Sequence, residues 1–166
     1  MKLTKWVTLV LLVGATGTVS PVTAQAKRRT SLTTFPRALR GTWYQDVGKV
    51  DGYHYYNGVR FTTHKFYFLA NMTKNFVGSP LHARRLPVKQ KMQHLDWVYA
   101  TQKKGVIRVE PWSNRITLPL AGYYRRTTIK RNGRRVKVVQ NVSANGKQVN
   151  SQYYATKKLA RQFKVR

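Results

Sequence analysis

From residue 41 onward, apolar and polar positions alternate with a period of two, and Asn-Gly pairs interrupt the alternation. The pattern predicts strands separated by tight turns. Residues 42–45 open the first strand. Residues 53–56 and 59–69 flank Asn57-Gly58, the strongest two-residue hairpin signal a sequence can carry. Residues 70–93 are less regular, with Gly78, Pro80 and Pro87 marking loops. Residues 95–101 and 106–110 read as strands joined around Lys103-Lys104-Gly105, and residues 115–120 as another short strand. Residues 123–130 and 134–142 pair across Asn132-Gly133, a turn follows at Asn145-Gly146, and residues 148–155 close the sheet. Residues 35–40 fit one helical turn with Pro36 at its first position. Residues 156–166 read as a short helix or a frayed strand. The fold expected is all-β, a small antiparallel meander closing into a barrel, because closure removes exposed edges.

The segment around Asn132-Gly133 can be read to single-residue register. A two-residue turn sets Arg131 opposite Arg134, Lys130 opposite Arg135, Ile129 opposite Val136, Thr128 opposite Lys137 and Thr127 opposite Val138. Side chains alternate between faces, so Thr127, Ile129, Val136 and Val138 share one face, suited to a core. Arg126, Lys130, Arg135 and Lys137 share the other. Like charges directly opposite one another destabilise a sheet, so this stripe suits a bound anion. Its bland reading is a solvated face that keeps an edge from aggregating.

Residues 1–26 break from this pattern and read as a cleavable signal peptide. Lys2 and Lys5 precede an uncharged apolar stretch, and Ala24-Gln25-Ala26 supplies a small-x-small cleavage site. The apolar run falls short of the ~20 residues that span a bilayer, so no transmembrane segment is expected after cleavage. The remaining divisions are a loose basic tail over residues 27–36, a β-barrel domain over residues 37–155, and a basic tail over residues 156–166. The chain has no cysteine, which removes disulfides, a lipid anchor and cysteine zinc sites from consideration. An exported, cysteine-free domain suits a Gram-positive cell surface, held there without a covalent link.

Charge then changes the picture. Against 32 Lys and Arg stand 4 acids, Asp46, Asp51, Asp96 and Glu110, for a net charge of +28. Internal ion pairs cannot neutralise that excess, so the fold repels itself and favours an anionic partner. Candidate contacts are Arg126, Lys130, Arg131, Arg134, Arg135 and Lys137 on the hairpin. The tail adds Lys157, Lys158 and Arg161, with Lys164 and Arg166 beyond. Leu159 and Phe163 are spaced to lay a helical tail on the barrel with its cations outward. The aromatic clusters Tyr53-His54-Tyr55-Tyr56, Phe66-Tyr67-Phe68, Tyr123-Tyr124 and Tyr153-Tyr154 read first as core and rim, since aromatics favour strands.

Catalytic chemistry finds little support. Asp46 and Asp51 read as loop residues around Gly48, and His94-x-Asp96 lacks a nucleophile or metal set. His54 and His64 would face one another across Asn57-Gly58, but two histidines do not make a zinc site. No cofactor, no metal and no enzymatic activity are expected.

Two resemblances carry further expectations. Gly41-Thr42-Trp43 after a helical turn resembles the Gly-x-Trp opening of the lipocalins. That resemblance implies a lipocalin-like barrel with Trp43 as the plug at one end and Arg125 or Arg126 packed across it. The run from Phe35-Pro36-Arg37-Ala38-Leu39-Arg40 to Trp43-Tyr44, with the closing Tyr153-Tyr154-Ala155-Thr156-Lys157-Lys158-Leu159-Ala160, is similar to small basic exported proteins of lactobacilli. That second resemblance implies an extracellular Gram-positive setting and supplies no activity. The leading expectation is an exported, non-catalytic protein retained electrostatically on anionic cell-wall polymers. The alternatives are a lipocalin-like binder of a small apolar ligand, and a cationic antimicrobial or nucleic-acid-binding protein.

Overall fold

The computed structural model describes residues 30–70, 75–86 and 94–164. The expected signal peptide and Arg166 lie outside the described residues. Nine strands and one short helix follow in chain order: β1 (Gly41–Val50), β2 (Tyr53–Phe61), β3 (Lys65–Leu69), β4 (Val77–Pro80), β5 (Val98–Lys103), β6 (Val106–Pro111), β7 (Gly122–Arg131), β8 (Arg134–Val142), β9 (Val149–Tyr154) and α1 (Lys157–Gln162). They form one sheet in the order β4-β3-β2-β1-β9-β8-β7-β6-β5, so the all-β expectation holds. Two four-strand meanders lie side by side, and β9 is the strip that joins them.

The expected closure into a barrel is incomplete, because no ladder links the edge strands β4 and β5. Among the described residues the edges meet at one isolated parallel bridge, Leu81 to Val98, where the His82 N–H donates to the Val98 carbonyl at 2.9 Å. Strand β4 ends at Pro80, which has no N–H to extend a ladder. The N-terminal segment covers this seam. Ser31 N–H donates to Arg84 O, Leu32 N–H to Ala100 O and Phe35 N–H to Thr63 O. Ser31 is buried and Phe35 has no exposed surface. Residues 30–36, expected as part of a loose tail, are therefore fastened across the gap between the two edges.

Three hairpins share one turn chemistry. Both central residues have positive φ at Asp51-Gly52 (49° and 85°), Lys104-Gly105 (48° and 77°) and Asn132-Gly133 (46° and 76°). Such turns match the twist of the flanking strands, and their second position favours glycine. The register expected around Asn132-Gly133 is the one observed, from Arg131 opposite Arg134 to Thr127 opposite Val138. Asn57-Gly58 is not a turn. It lies inside β2, with Asn57 opposite Gln45 and Gly58 opposite Tyr44. Gly58 is required there by crowding, since a Cβ would sit 2.9 Å from Phe76 and 3.2 Å from Leu69. The actual turn, Asp51-Gly52, joins β1 to β2, and β1 runs through the Asp46–Gly48 region with a bulge.

Other local expectations also change. Residues 115–120 form turns instead of a strand, with Ala121 N–H bonded to Leu118 O and Leu120 at φ 59°. Strand β4 was hidden by Gly78 and Pro80. Gly78 lies under the Tyr67 ring, where a Cβ would come within 2.5 Å. At the C-terminus the chain is helical, and the Thr156 side chain caps α1 by accepting from the Leu159 N–H.

Each face of the sheet carries a core. The main core gathers Phe35, Trp43, Val59, Phe61, Phe66, Val98, Ile107, Val109, Tyr124, Val139 and Tyr153 on one face. Its aromatic rings touch edge-on or tilted: Phe61 is 5.2 Å from Phe35 and from Phe66, and 5.4 Å from Tyr124. The opposite face carries a smaller core of Val136, Val138, Tyr154, Ala160 and Phe163, with Ile129 and Leu159 at its border. Helix α1 covers that second face, as the spacing of Leu159 and Phe163 predicts. The face of Thr127, Ile129, Val136 and Val138 is thus the helix-covered one. The cationic face of the hairpin is continuous with the main core through Val139, which stands opposite Arg126.

Candidate polyanion-binding surface

Among the described residues, no other strand pairs with the end of the β7–β8 hairpin. Strand β9 pairs with β8 between Val138 and Val142, and β6 pairs with β7 between Gly122 and Tyr124. From Thr128–Lys137 to Arg131–Arg134 the hairpin is a two-stranded ribbon. Lys130 faces Arg135 across it, and Arg131 faces Arg134. By the alternation of side chains, Arg126, Lys130, Arg135 and Lys137 lie on the main-core face. Arg131 and Arg134 lie on the opposite face, so the six hairpin cations form two groups.

The helix-covered side collects the remaining expected cations. Lys157, Lys158 and Arg161 are exposed on α1. Lys157 extends over the rings of Tyr44 and Tyr56, 5.6 and 5.1 Å from their centroids. Burial raises the Tyr56 pKa, while Arg161 nearby pulls it back. Arg131 shares a cleft of about 330 Å³ with Asp46, Gln140 and Lys164.

Trp43 is buried, and its indole N–H donates to Leu39 O at 2.9 Å. The Arg126 guanidinium lies over its ring, 5.8 Å from the centroid. Arg125 points to the other face, where it donates to Gln140 Oε1 and Gly146 O.

Two of the four acids, Asp46 and Glu110, have close partners. Asp46 uses both carboxylate oxygens: Oδ1 accepts from the Gly48 N–H at 2.8 Å, and Oδ2 lies 2.9 Å from His54 Nδ1. Glu110 pairs with Arg108 at 2.6 Å. Asp51 and Asp96 are exposed. His54 and His64 do not face one another, because the hairpin between them is not there; His64 Nδ1 lies 3.3 Å from Thr33 O. Among the described residues no group of three or more His, Cys, Asp or Glu is placed to hold a metal ion.

Two features escaped the sequence reading. At the seam, His82 and His94 stack on Trp97, and the Arg84 guanidinium lies 4.4 Å from the Trp112 ring centroid. Residues 82–84, 94–97 and 112 lie apart along the chain, and the Leu81–Val98 bridge together with the Trp112 N–H bond to Trp97 O brings them together. The second is a groove across β5 and β6. Two clefts, of about 460 and 820 Å³, share Thr101, Lys103 and Arg108 as lining residues. Tyr99 in the larger cleft has its pKa pushed up to about 12, first by burial and then by its hydrogen bond to Glu110. The adjacent Lys103-Lys104 pair was a visible signal, but it read as a turn only.

Compared with known protein families, curated proteins and solved structures, the chain matches none.

Proposed function

We propose that this chain is an exported, non-catalytic protein that binds anionic polymers of the cell envelope and is retained there by charge. The observation that carries the reading is the cationic ribbon. Lys130 opposite Arg135 and Arg131 opposite Arg134 repel one another on a two-stranded arm. A net charge of +28 surrounds them. A polymer with regularly spaced phosphates or carboxylates would relieve the repulsion and release condensed counterions, so affinity falls steeply with salt. The ribbon face with Arg126, Lys130, Arg135 and Lys137 is the main contact. The α1 side, with Lys157, Lys158 and Arg161 beside Arg131 and Arg134, is a second. The apolar-ligand alternative calls for a hollow interior, whereas Phe35, Phe61, Phe66, Tyr124 and Tyr153 fill the main core.

The test is binding to isolated cell walls, with and without their anionic polymers, over a salt series. Beside the protein run a Lys130→Gln, Arg135→Gln, Lys137→Gln variant and an unrelated protein of equal charge. Arg126 stays unchanged because it packs on Trp43. Binding lost from stripped walls, and a salt slope lower by about three in the variant, supports the ribbon. An unaffected variant, or a control that binds as well, overturns it.

A further inference from the structure

We propose that the smaller cleft, between the β5–β6 turn and the turn at Asn145-Gly146, is a separate subsite for a single phosphate group carried on a sugar or polyol. The inference rests on the polyanion reading for its ligand class and deepens it by naming the anion. Its residues are independent of the ribbon. The cleft is open to solvent, has a volume of about 460 Å³ and is lined by Lys103, Lys104, Arg108, Thr101, Tyr123 and Asn145 among others. That volume suits a small ligand.

Three separate pieces of backbone supply its donors. The β5–β6 turn brings Lys103 and Lys104, with Lys104 held at φ 48° beside Gly105. Strand β6 brings Arg108, whose guanidinium pairs with Glu110 at 2.6 Å and lies 5.4 Å from the Tyr123 ring centroid. The turn after β8 brings Asn145. Its Oδ1 already accepts from Ser143 Oγ at 2.6 Å and from the Lys147 N–H at 2.9 Å. That arrangement orients the amide and leaves Nδ2 as a donor. Cations and an amide arriving from three directions suit a tetrahedral anion with several acceptor oxygens better than a flat carboxylate. The Thr101 hydroxyl and the Tyr123 phenol offer partners to the hydroxyls of an attached polyol.

Glu110 sets the strength of the site. Arg108 lines both clefts, and Glu110 lines the larger one. A guanidinium carries five N–H donors, so Arg108 can serve Glu110 and a phosphate together, with its field partly cancelled. Removing the carboxylate should therefore tighten phosphate binding, an effect that a damaged fold does not produce.

The test titrates the protein with glycerol 3-phosphate, inorganic phosphate and glucuronate, following the Asn145 side-chain amide and the Arg108 signals by NMR. Saturable shifts below about 10 mM with the two phosphates, and much weaker ones with glucuronate, are expected. Tighter binding of glycerol 3-phosphate than of inorganic phosphate would place the polyol in the site; equal binding would overturn that part and leave a simple phosphate site. Lys103→Gln with Lys104→Gln should weaken binding about tenfold. Glu110→Gln should strengthen it about two- to fivefold. The ribbon variant should stay within about twofold of the parent, because screening isolates the two regions. No saturation, equal response to glucuronate, or no gain in Glu110→Gln overturns the subsite. Loss of wall binding in the ribbon variant with the small-phosphate shifts intact would show that the two readings stand apart.

Discussion

His82 lies flat on Trp97, with ring centroids 3.4 Å apart and planes 14° from parallel. His94 stacks on the same indole at 3.6 Å and 12°. Two rings that close to one centroid must occupy opposite faces, since on one face they would overlap. The sandwich sits where the sheet edges meet, as the His82 N–H bonds to Val98 O.

Acid should loosen this seam. Burial first, then the charge of His94, lowers the His82 pKa below its ordinary 6.5, while Asp96 pulls the other way. A histidine whose folded pKa is depressed contributes stability in full above its unfolded pKa, and that contribution is lost as pH falls through the folded value. The expected result is a His82 imidazole titrating below the ordinary midpoint by NMR. His94→Gln should move that midpoint up and Asp96→Asn should move it down. Midpoints unmoved by either change would remove His94 and Asp96 as the groups that tune the stack.

The location of the first hairpin turn gives a second expectation. Gly52→Ala forces alanine into a left-handed conformation at φ 85° and should cost about 1–2 kcal/mol. Gly58→Ala meets no such penalty but pushes a methyl against Phe76, at a cost of about 1–3 kcal/mol. Measured against Phe76→Leu alone, Gly58→Ala should therefore cost less than it does in the parent, with the Leu69 contact keeping part of the cost, whereas the cost of Gly52→Ala should not change. Chemical denaturation of the two double variants decides between a steric and a conformational role for each glycine.

Two Asn-Gly pairs, at Asn57-Gly58 and Asn132-Gly133, show how far the sequence reaches. Asn132-Gly133 was read correctly because nothing distant competes with its turn chemistry, and its register follows from the turn alone. Asn57-Gly58 carries the same local signal, but Phe76 and Leu69 pack on Gly58, and that contact exists only once β3 and the segment after it fold back on β2. Strand β4 was invisible for a similar reason, with Gly78 serving a tertiary contact with Tyr67. The cation stripe was legible as a face, whereas its continuity with the main core was not. Alternation separates two faces without saying which one a helix will cover. The groove at Lys103, Arg108 and Asn145 depends on β6 pairing with β7 and on the return of β8, so no local pattern announces it.

The ribbon should be more stable with fewer charges. In low salt, Lys130→Gln with Arg135→Gln removes one directly opposed like-charge pair and should raise stability by about 0.2–1 kcal/mol. The gain should shrink as ionic strength rises. Arg126→Gln should behave in the opposite sense, because Arg126 lies over Trp43 and the contact is worth about 0.5–1 kcal/mol. Thermal melts of the two variants across a salt series provide the check. A Lys130→Gln, Arg135→Gln variant that melts lower than the parent in dilute buffer would mean the arm is not strained by its charge.

Alkali should attack the main core through its tyrosines. Burial pushes the Tyr153 pKa up to about 12 and the Tyr124 pKa well above its ordinary 10, where Tyr153 adds to the effect. The unfolded chain gives up these protons near pH 10, so above that point the unfolded state holds fewer protons than the folded one. Stability then falls as pH rises, and the loss continues until the folded groups ionise. Tyr124 also donates its hydroxyl to Leu120 O, in the turn that leads into β7. Tyr124→Phe should thus cost about 0.5–1.5 kcal/mol at neutral pH through the lost hydrogen bond. It should also remove part of the alkaline loss, since phenylalanine has no proton to release. Denaturant unfolding of the parent and Tyr124→Phe at neutral pH and above pH 10 measures both effects. If the gap between them does not narrow at the higher pH, Tyr124 is not a source of the alkaline instability.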